Sequence, residues 1–484
     1  MRIAPRRYDD ERDLAEIDRR LERAPGGVEL LFERACCLED LGRSEAAAQA
    51  YVVVLGHDAR HLGTLSNLGT MLLHRGEAAK AQIFFTHALT HHPLQLITHV
   101  NLGQALFEQG EIASAVAQHN AALAVDARFF AAHQALALVY ESTGDAARSE
   151  YHWEAAFANG AASKLPYAGP TPPVLRLLLV VSGRGGDVVA HRFLDDRSME
   201  TTMVMADGFR SETTLPPHDV VFNGIGDADR CKTPLERTRT LLRASTARVI
   251  NDPECVLATG RAAIGKRFEN IAGVAVPRTE LVARDTISEQ NLAERGWTFP
   301  LLVRVPGYQA GRYFELVNAP AMLPEALARL PGNELLLIAF LDARGADGCA
   351  RKYRVLFIDG RLYPVHLAVS QEWKVHYFSS DMATRADHRE EERRFLIDPR
   401  TSLGAPVLAA LEEIGRALNL DYGGVDFGID GAGNVIVFEA NATMAVYPPP
   451  AGAQWAYRRP AYDAVIGAVR TMIAQRAAGR SRPR

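Results

Sequence analysis

Glycines fall at Gly42, Gly76, Gly110 and Gly144, a constant step of 34 residues, and each stands between two stretches with helical apolar periodicity. A fixed step of this length confines what the first third of the chain can become. Each unit is a helix pair that cannot bury its apolar face alone, so successive units must stack. Leu68, Leu102 and Leu136 recur in register before the glycines, and Ala47, Ala81 and Ala115 recur after them. Tyr51, Phe85 and Trp153 stand four residues beyond the alanine position, where an aromatic ring fills the gap between neighbouring pairs. His119 holds that position in the third unit, which predicts looser packing there.

These residues resemble the tetratricopeptide repeat family, with four repeats over residues 25–160 and Pro93 where that family often ends a unit. The resemblance implies an α-solenoid of helix-turn-helix repeats whose concave face binds a peptide or protein. A spacer or dimerisation element, with a homodimer as the product, is the competing reading. Ten of the fifteen histidines lie in this region, and His87 and His91 are spaced i, i+4 on a predicted helix. No carboxylate or cysteine stands beside them, so solvated histidines are the better account than a metal site.

The remainder of the 484 residues has room for further domains, and 48% apolar with 23% charged residues is the balance of a soluble globular chain. A formal charge of −4 argues against a nucleic-acid or anionic-membrane partner, which would need a basic field. The five cysteines form neither a zinc spacing nor an even disulfide framework. Apolar runs such as LLLIAFL (335–341) are too short to span a membrane, and the charged N-terminus lacks an export signal's apolar core. A cytoplasmic protein is the expectation.

Four prolines in LPYAGPTPPV (165–174) mark a domain boundary. The expected plan is an N-terminal extension (1–24), repeats (25–160), linker (161–174), an open α/β domain (175–255), two further lobes (256–340 and 341–475) and a basic tail (476–484). LRLLLVVS (175–182), DVVFNGIGD (219–227) and ARVINDPE (247–254) read as strands ending in loops.

The chemistry-bearing segment is VDFGIDGAGNVIVFEANATM (425–444), a hairpin of two β-rich runs around a glycine-rich turn. With an even number of turn residues, Asp426 and Glu439 share a face, and Asn441 joins them by the strand period of two. Hard oxygens in that number suit Mg²⁺. Upstream, FPLLVRVPGYQAGRYFELV (299–317) delivers Arg304 from a strand into a turn bounded by Gly307 and Gly311, the materials of a phosphate clamp. Lys352 and Arg354 share one face of a third strand.

In order and spacing these pieces resemble the ATP-grasp superfamily over residues 173–470. That resemblance implies an α+β ATP-grasp fold behind an open α/β substrate domain, with ATP and Mg²⁺ as cofactors, two ions with the nucleotide and Mn²⁺ as a substitute. Asp426, Glu439 and Asn441 match the family's metal triad. Arg261 or Lys266 takes the place of one nucleotide-contacting lysine, and Arg304 that of the strand lysine. Ala339, Phe340 and Leu341 fall where the family's hinge reads adenine. The implied catalytic residues are Arg354, Arg304 and Lys352, with Gly307 and Gly311 over the phosphates and His366, Trp373, Lys374 and His376 beside the acceptor. The implied activity is an ATP-dependent carboxylate-amine or carboxylate-thiol ligase acting through an acylphosphate, its repeats recruiting a peptide or protein. The alternative is a nucleotide-gated adaptor whose clamp binds ATP without ligating.

Overall fold

A computed structural model of the chain describes residues 11–41, 43–157, 162–208, 214–306, 313–375, 380–450 and 452–479. It divides into two compact units, Met1–Gly160 with Pro449–Ala456, and Ala161–Pro448 with Tyr457–Arg484.

The first unit is helical. Its helices are α1 (Glu11–Arg23), α2 (Val28–Asp40), α3 (Ser44–His57), α4 (Leu62–His74), α5 (Ala78–His91), α6 (Leu96–Glu108), α7 (Ile112–Val125), α8 (Phe130–Ser142) and α9 (Ala146–Ala156). α2 packs on α3, α4 on α5, α6 on α7 and α8 on α9, one pair per 34-residue period. Gly76, Gly110 and Gly144 sit in the turns inside the last three pairs at φ of 79°, 83° and 80°, a conformation that costs any residue with a Cβ. Gly42 lies outside the described residues. α1 adds Leu14 and Ile17 to a core shared with Phe32, Tyr51 and Leu68.

Close approach between helices rests on two further glycines. A Cβ on Gly69 would stand 2.5 Å from the Phe85 ring, and one on Gly103 would stand 2.4 Å from the His119 ring. His119 therefore occupies the same slot as Phe85. It is fully buried, so the packing there is tight rather than loose, and burial pushes its imidazole down to about 4. A neutral imidazole is close enough in size to an aromatic ring to serve as the spacer.

The second unit opens with β1 (Ala162–Lys164), β2 (Arg176–Val181), β3 (Glu200–Met205), β4 (Val220–Asn223) and β5 (Arg248–Ile250). They form a sheet of order β1-β3-β2-β4-β5, parallel except for β1. The strand order reverses beside β2, so the loops after β2 and β4 face a switch point. These loops interlock: Val188 N donates to Gly224 O at 2.7 Å, and Gly226 N and Asp227 N both donate to Gly186 O at 3.0 Å.

The rest of the unit holds β6 (Val274–Ala275), β7 (Thr279–Ala283), β8 (Leu301–Arg304), β9 (Phe314–Val317), β10 (Glu334–Ala339), β11 (Ala350–Ile358), β12 (Arg361–Ser370), β13 (Tyr422–Ile429) and β14 (Val435–Asn441). They make an antiparallel sheet β7-β10-β8-β9 and a sheet β12-β11-β13-β14-β6. Leu177 and Phe222 of the first sheet share one core with Leu356 and Tyr422 of the third and with Val465 and Val469 of the helix Arg459–Ala477. Buried Asn251, at φ 58°, ties the same two sheets: its Nδ2 donates to Tyr422 O and its Oδ1 accepts from Tyr422 N, both at 2.8 Å. Among the described residues no helix is long and apolar enough to cross a membrane.

Candidate functional site

β13 and β14 form the hairpin read from the sequence, but the turn is odd. Ile429 pairs with Val435, which leaves the five residues 430–434 between them. An unbroken ladder from that turn would set Phe438 opposite Asp426 and aim Glu439 at the other face. A register shift intervenes: Phe427 pairs with Val437 and Asp426 with Glu439, so Phe438 is the extra residue of a β-bulge. Gly424 then pairs with Asn441. The bulge, not the turn, brings Asp426, Glu439 and Asn441 to one side.

Asp426 is 2% exposed and lies opposite Arg354 in the β11 and β13 ladder. Arg354 donates to its two oxygens from Nε at 2.6 Å and Nη2 at 2.9 Å, and Lys352 Nζ stands 3.0 Å from Oδ2. Burial alone would push this carboxyl up. The Arg354 and Lys352 charges overturn that and hold it well below the usual carboxylate range. Beside it, Asn441 Nδ2 donates to Glu439 Oε1 at 3.0 Å, while Asn441 Oδ1 accepts from Thr443 N and Oγ1, each at 2.9 Å.

Arg261 begins the helix Arg261–Phe268 and reaches Glu439 Oε1 with Nη2 at 3.4 Å. Its backbone N donates to Asp229 Oδ2 at 3.1 Å. Arg304, at the end of β8, is held below its ordinary value by burial and then by the Arg261 charge. Its guanidinium lies 5.6 Å from the Phe314 ring centroid, and Lys374 Nζ lies 5.9 Å from the same ring while donating to Phe314 O at 3.3 Å. Burial pushes the Lys374 amine down as well. Trp373 sets its ring edge to face with Phe314 at 5.4 Å and with Phe340 at 6.4 Å.

All these side chains line one cavity of about 520 Å³ inside the second unit. Ala339, Phe340 and Leu341 line it past the end of β10, and His366 lines it from β12, buried and held neutral by burial and by the Arg354 charge. Lys266, the alternative to Arg261, is not among the lining residues. Gly307, Gly311 and His376 lie outside the described residues. Among the described residues no group of three or more His, Cys, Asp or Glu side chains is placed to hold a metal ion.

Sequence reasoning passed over several lining residues. Asp227 and Asp229 follow β4 in GIGDADR, at the carboxyl end of a parallel strand, a place the switch-point rule marks for ligands. Gly226 allows this, because a Cβ there would meet Thr443 N at 2.9 Å. Asp342 follows Leu341 and holds Arg344, and Arg458 pairs at 2.5 Å with Glu392, which is 0% exposed. Burial pushes the Glu392 carboxyl up against the opposing pull of Arg458. Nothing in QWAYRRPAYD announces Arg458 as part of a cavity.

No protein-family model and no curated protein sequence matches the chain. Solved structures similar to it cover the helical repeats. MamA from Desulfovibrio magneticus RS-1 is 17% identical with a TM-score of 0.28, over 30% of this chain and 81% of that one. PilW, a type IV pilus biogenesis factor, is 23% identical with a TM-score of 0.28, over 29% of this chain and 66% of that one. At those TM-scores the likeness adds nothing to the helix pairing itself. The 34-residue helix pairs make the N-terminal array tetratricopeptide-like by their own geometry.

Proposed function

We propose that the second unit is an ATP-grasp ligase, joining a carboxylate to an amine or thiol at the expense of ATP, and that the repeats recruit a peptide or protein that carries one of the substrates. The observation that carries this reading is the direct opposition of Asp426 and Glu439 across β13 and β14, with Arg354 facing Asp426 from the next strand. Two carboxylates, an amide and a row of fixed cations in one cavity suit a polyphosphate with its counter-ions.

ATP would lie with its base near Phe340 and Leu341 and its phosphates toward Arg304, Lys352 and Arg354. Asp426, Glu439 and Asn441 would hold Mg²⁺, which neutralises phosphate charge. The donor types fit, though Asp426 is engaged by Arg354 and Lys352, so an incoming phosphate must first draw those cations away. An oxygen of the substrate carboxylate attacks the γ-phosphorus and ADP leaves, giving an acylphosphate. The amine or thiol then attacks the acyl carbon, loses its proton and expels phosphate. The chain's own groups position the reactants and offset charge.

The second reading, an adaptor that binds ATP without turning it over, draws on the same contacts. Asp426 already has both oxygens held by cations. The test is Mg²⁺-dependent ADP release, with mass spectrometry of cell extract incubated with protein, ATP and Mg²⁺. A condensation product that disappears in Glu439→Gln supports the ligase. Tight ATP binding with no turnover, and a Glu439→Gln variant altered only in partner binding, would establish the adaptor instead.

A further inference from the structure

Along β11 the cavity lining runs from Ala350 through Lys352 to Arg354. β12 pairs antiparallel, with Ser370 opposite Ala350 and His366 opposite Arg354. Trp373 and Lys374, past the end of β12, therefore stand at the Ala350 end, beside Phe340, and Val365 stands at the Arg354 end. There the lining changes character: with Val365 come Val446, Tyr447, Ala461 and Tyr462. Val365 and Tyr462 pack against one apolar core that includes Val446 and Val465, so these lining residues belong together.

A local irregularity puts Val365 in this wall. Consecutive strand residues point to opposite faces, yet Val365 and His366 both line the cavity. Arg354 pairs with His366 and Val355 with Pro364, which leaves Val365 as the extra residue of a bulge. Arg192 stacks on Tyr447, its guanidinium carbon 4.9 Å from the ring centroid, and steadies that side. Arg458, three residues before Ala461, also lines the cavity, but its charge is committed. Its Nε and Nη2 both donate to Glu392 Oε2, at 2.9 and 2.5 Å. What this end presents to a ligand is largely apolar surface, which favours an apolar group.

The apolar wall also adjoins the reacting centre. Val365 precedes His366, which faces Arg354, and Val446 follows Ala445, whose O accepts from Arg354 Nη1 at 3.1 Å. Each is one Cα step, about 3.8 Å, from a residue that faces or touches Arg354. We propose that this end of the cavity seats the apolar chain of the carboxylate substrate, an aliphatic acid whose carboxylate lies at Arg354 and whose length is limited by the room beside Ala461. This rests on the ligase reading for which group reacts. The apolar subsite itself does not require it.

The test is calorimetric titration of the full-length protein with acetate, butyrate, hexanoate and octanoate, alone and with a non-hydrolysable ATP analogue and Mg²⁺. Affinity should rise about three- to fourfold per added methylene up to a limiting chain length and then level off. Ala461→Leu should move that limit to a shorter chain and Val365→Ala to a longer one, with affinity for the ATP analogue unchanged. No binding, affinity independent of chain length, a limit that neither variant moves, or displacement of the acid by the nucleotide would overturn the proposal. Displacement would give this end to the adenine base instead. Chain-length-dependent binding that the variants shift, in a protein that never binds nucleotide, would leave the apolar subsite standing and remove the ligase reading.

Discussion

Replacing Asp426 by asparagine tests whether that carboxylate is the counter-charge on which the site's cations depend. Lys352 and Arg354 side chains are 18% and 17% exposed, so neither can turn fully to water when the anion is lost. At an effective dielectric of about 20 and roughly 4 Å, each attraction is worth about 4 kcal/mol, or about 8 kcal/mol for the two. Relief of the aspartate's own dehydration cancels roughly half, leaving about 3–5 kcal/mol, the usual cost of breaking a buried pair. Hydrogen exchange of β13, followed by mass spectrometry, reads this locally. At 1.36 kcal/mol per tenfold, Asp426→Asn should exchange roughly 150- to 5,000-fold faster there.

The pH dependence has a definite sign. The folded carboxyl titrates far below its unfolded value of about 3.9, so its contribution is present above that value and is lost as pH falls through the depressed folded one. The difference between wild type and variant should be constant from about pH 7 to 5 and shrink below about 4. Tripolyphosphate, by replacing the missing anion, should slow exchange more in the variant than in the wild type. A change of less than about tenfold, or a difference that grows on acidification, would refute the reasoning.

In the repeats, His119 is held neutral down to about 4, whereas an unfolded histidine takes its proton near 6.5. His119 alone should therefore withdraw about 3 kcal/mol of repeat stability between those values, and thermal melts of His119→Phe should lose less on acidification, with His152, also pushed down to about 4, contributing to the loss that remains. Gly69→Ala drives a Cβ to within 2.5 Å of the Phe85 ring and should cost about 1–3 kcal/mol in denaturant unfolding, partly recovered by adding Phe85→Leu. Arg458→Met leaves Glu392, at 0% exposure, without its cation and with only Tyr457 Oη and Leu367 N donating to it, and should cost about 3–5 kcal/mol, with Glu392→Gln added to it milder than the single change in thermal unfolding. Deleting residues 25–160 should leave ATP affinity intact and raise KM for a protein-borne substrate; unchanged kinetics would end the recruitment idea.

Periodicity was legible wherever a residue's role follows from its neighbours in the chain. The 34-residue glycine step predicts the helix pairs because only glycine reaches φ near 80° without strain, and the apolar runs at 175–182 and 435–438 predict buried strands. The types of the site residues were legible too, since carboxylates and an amide at the end of an apolar strand need a reason to be there. Register was not. Asp426 and Glu439 meet because Phe438 bulges out of a ladder whose five-residue turn would otherwise have parted them, and bulges are decided by packing across strands. Nor could the chain order say that Arg261 would line the cavity and Lys266 would not, or that Arg192 would come to rest on Tyr447, 255 positions further along. Those pairings arise when separate sheets and helices bury a common core, and no local pattern records them.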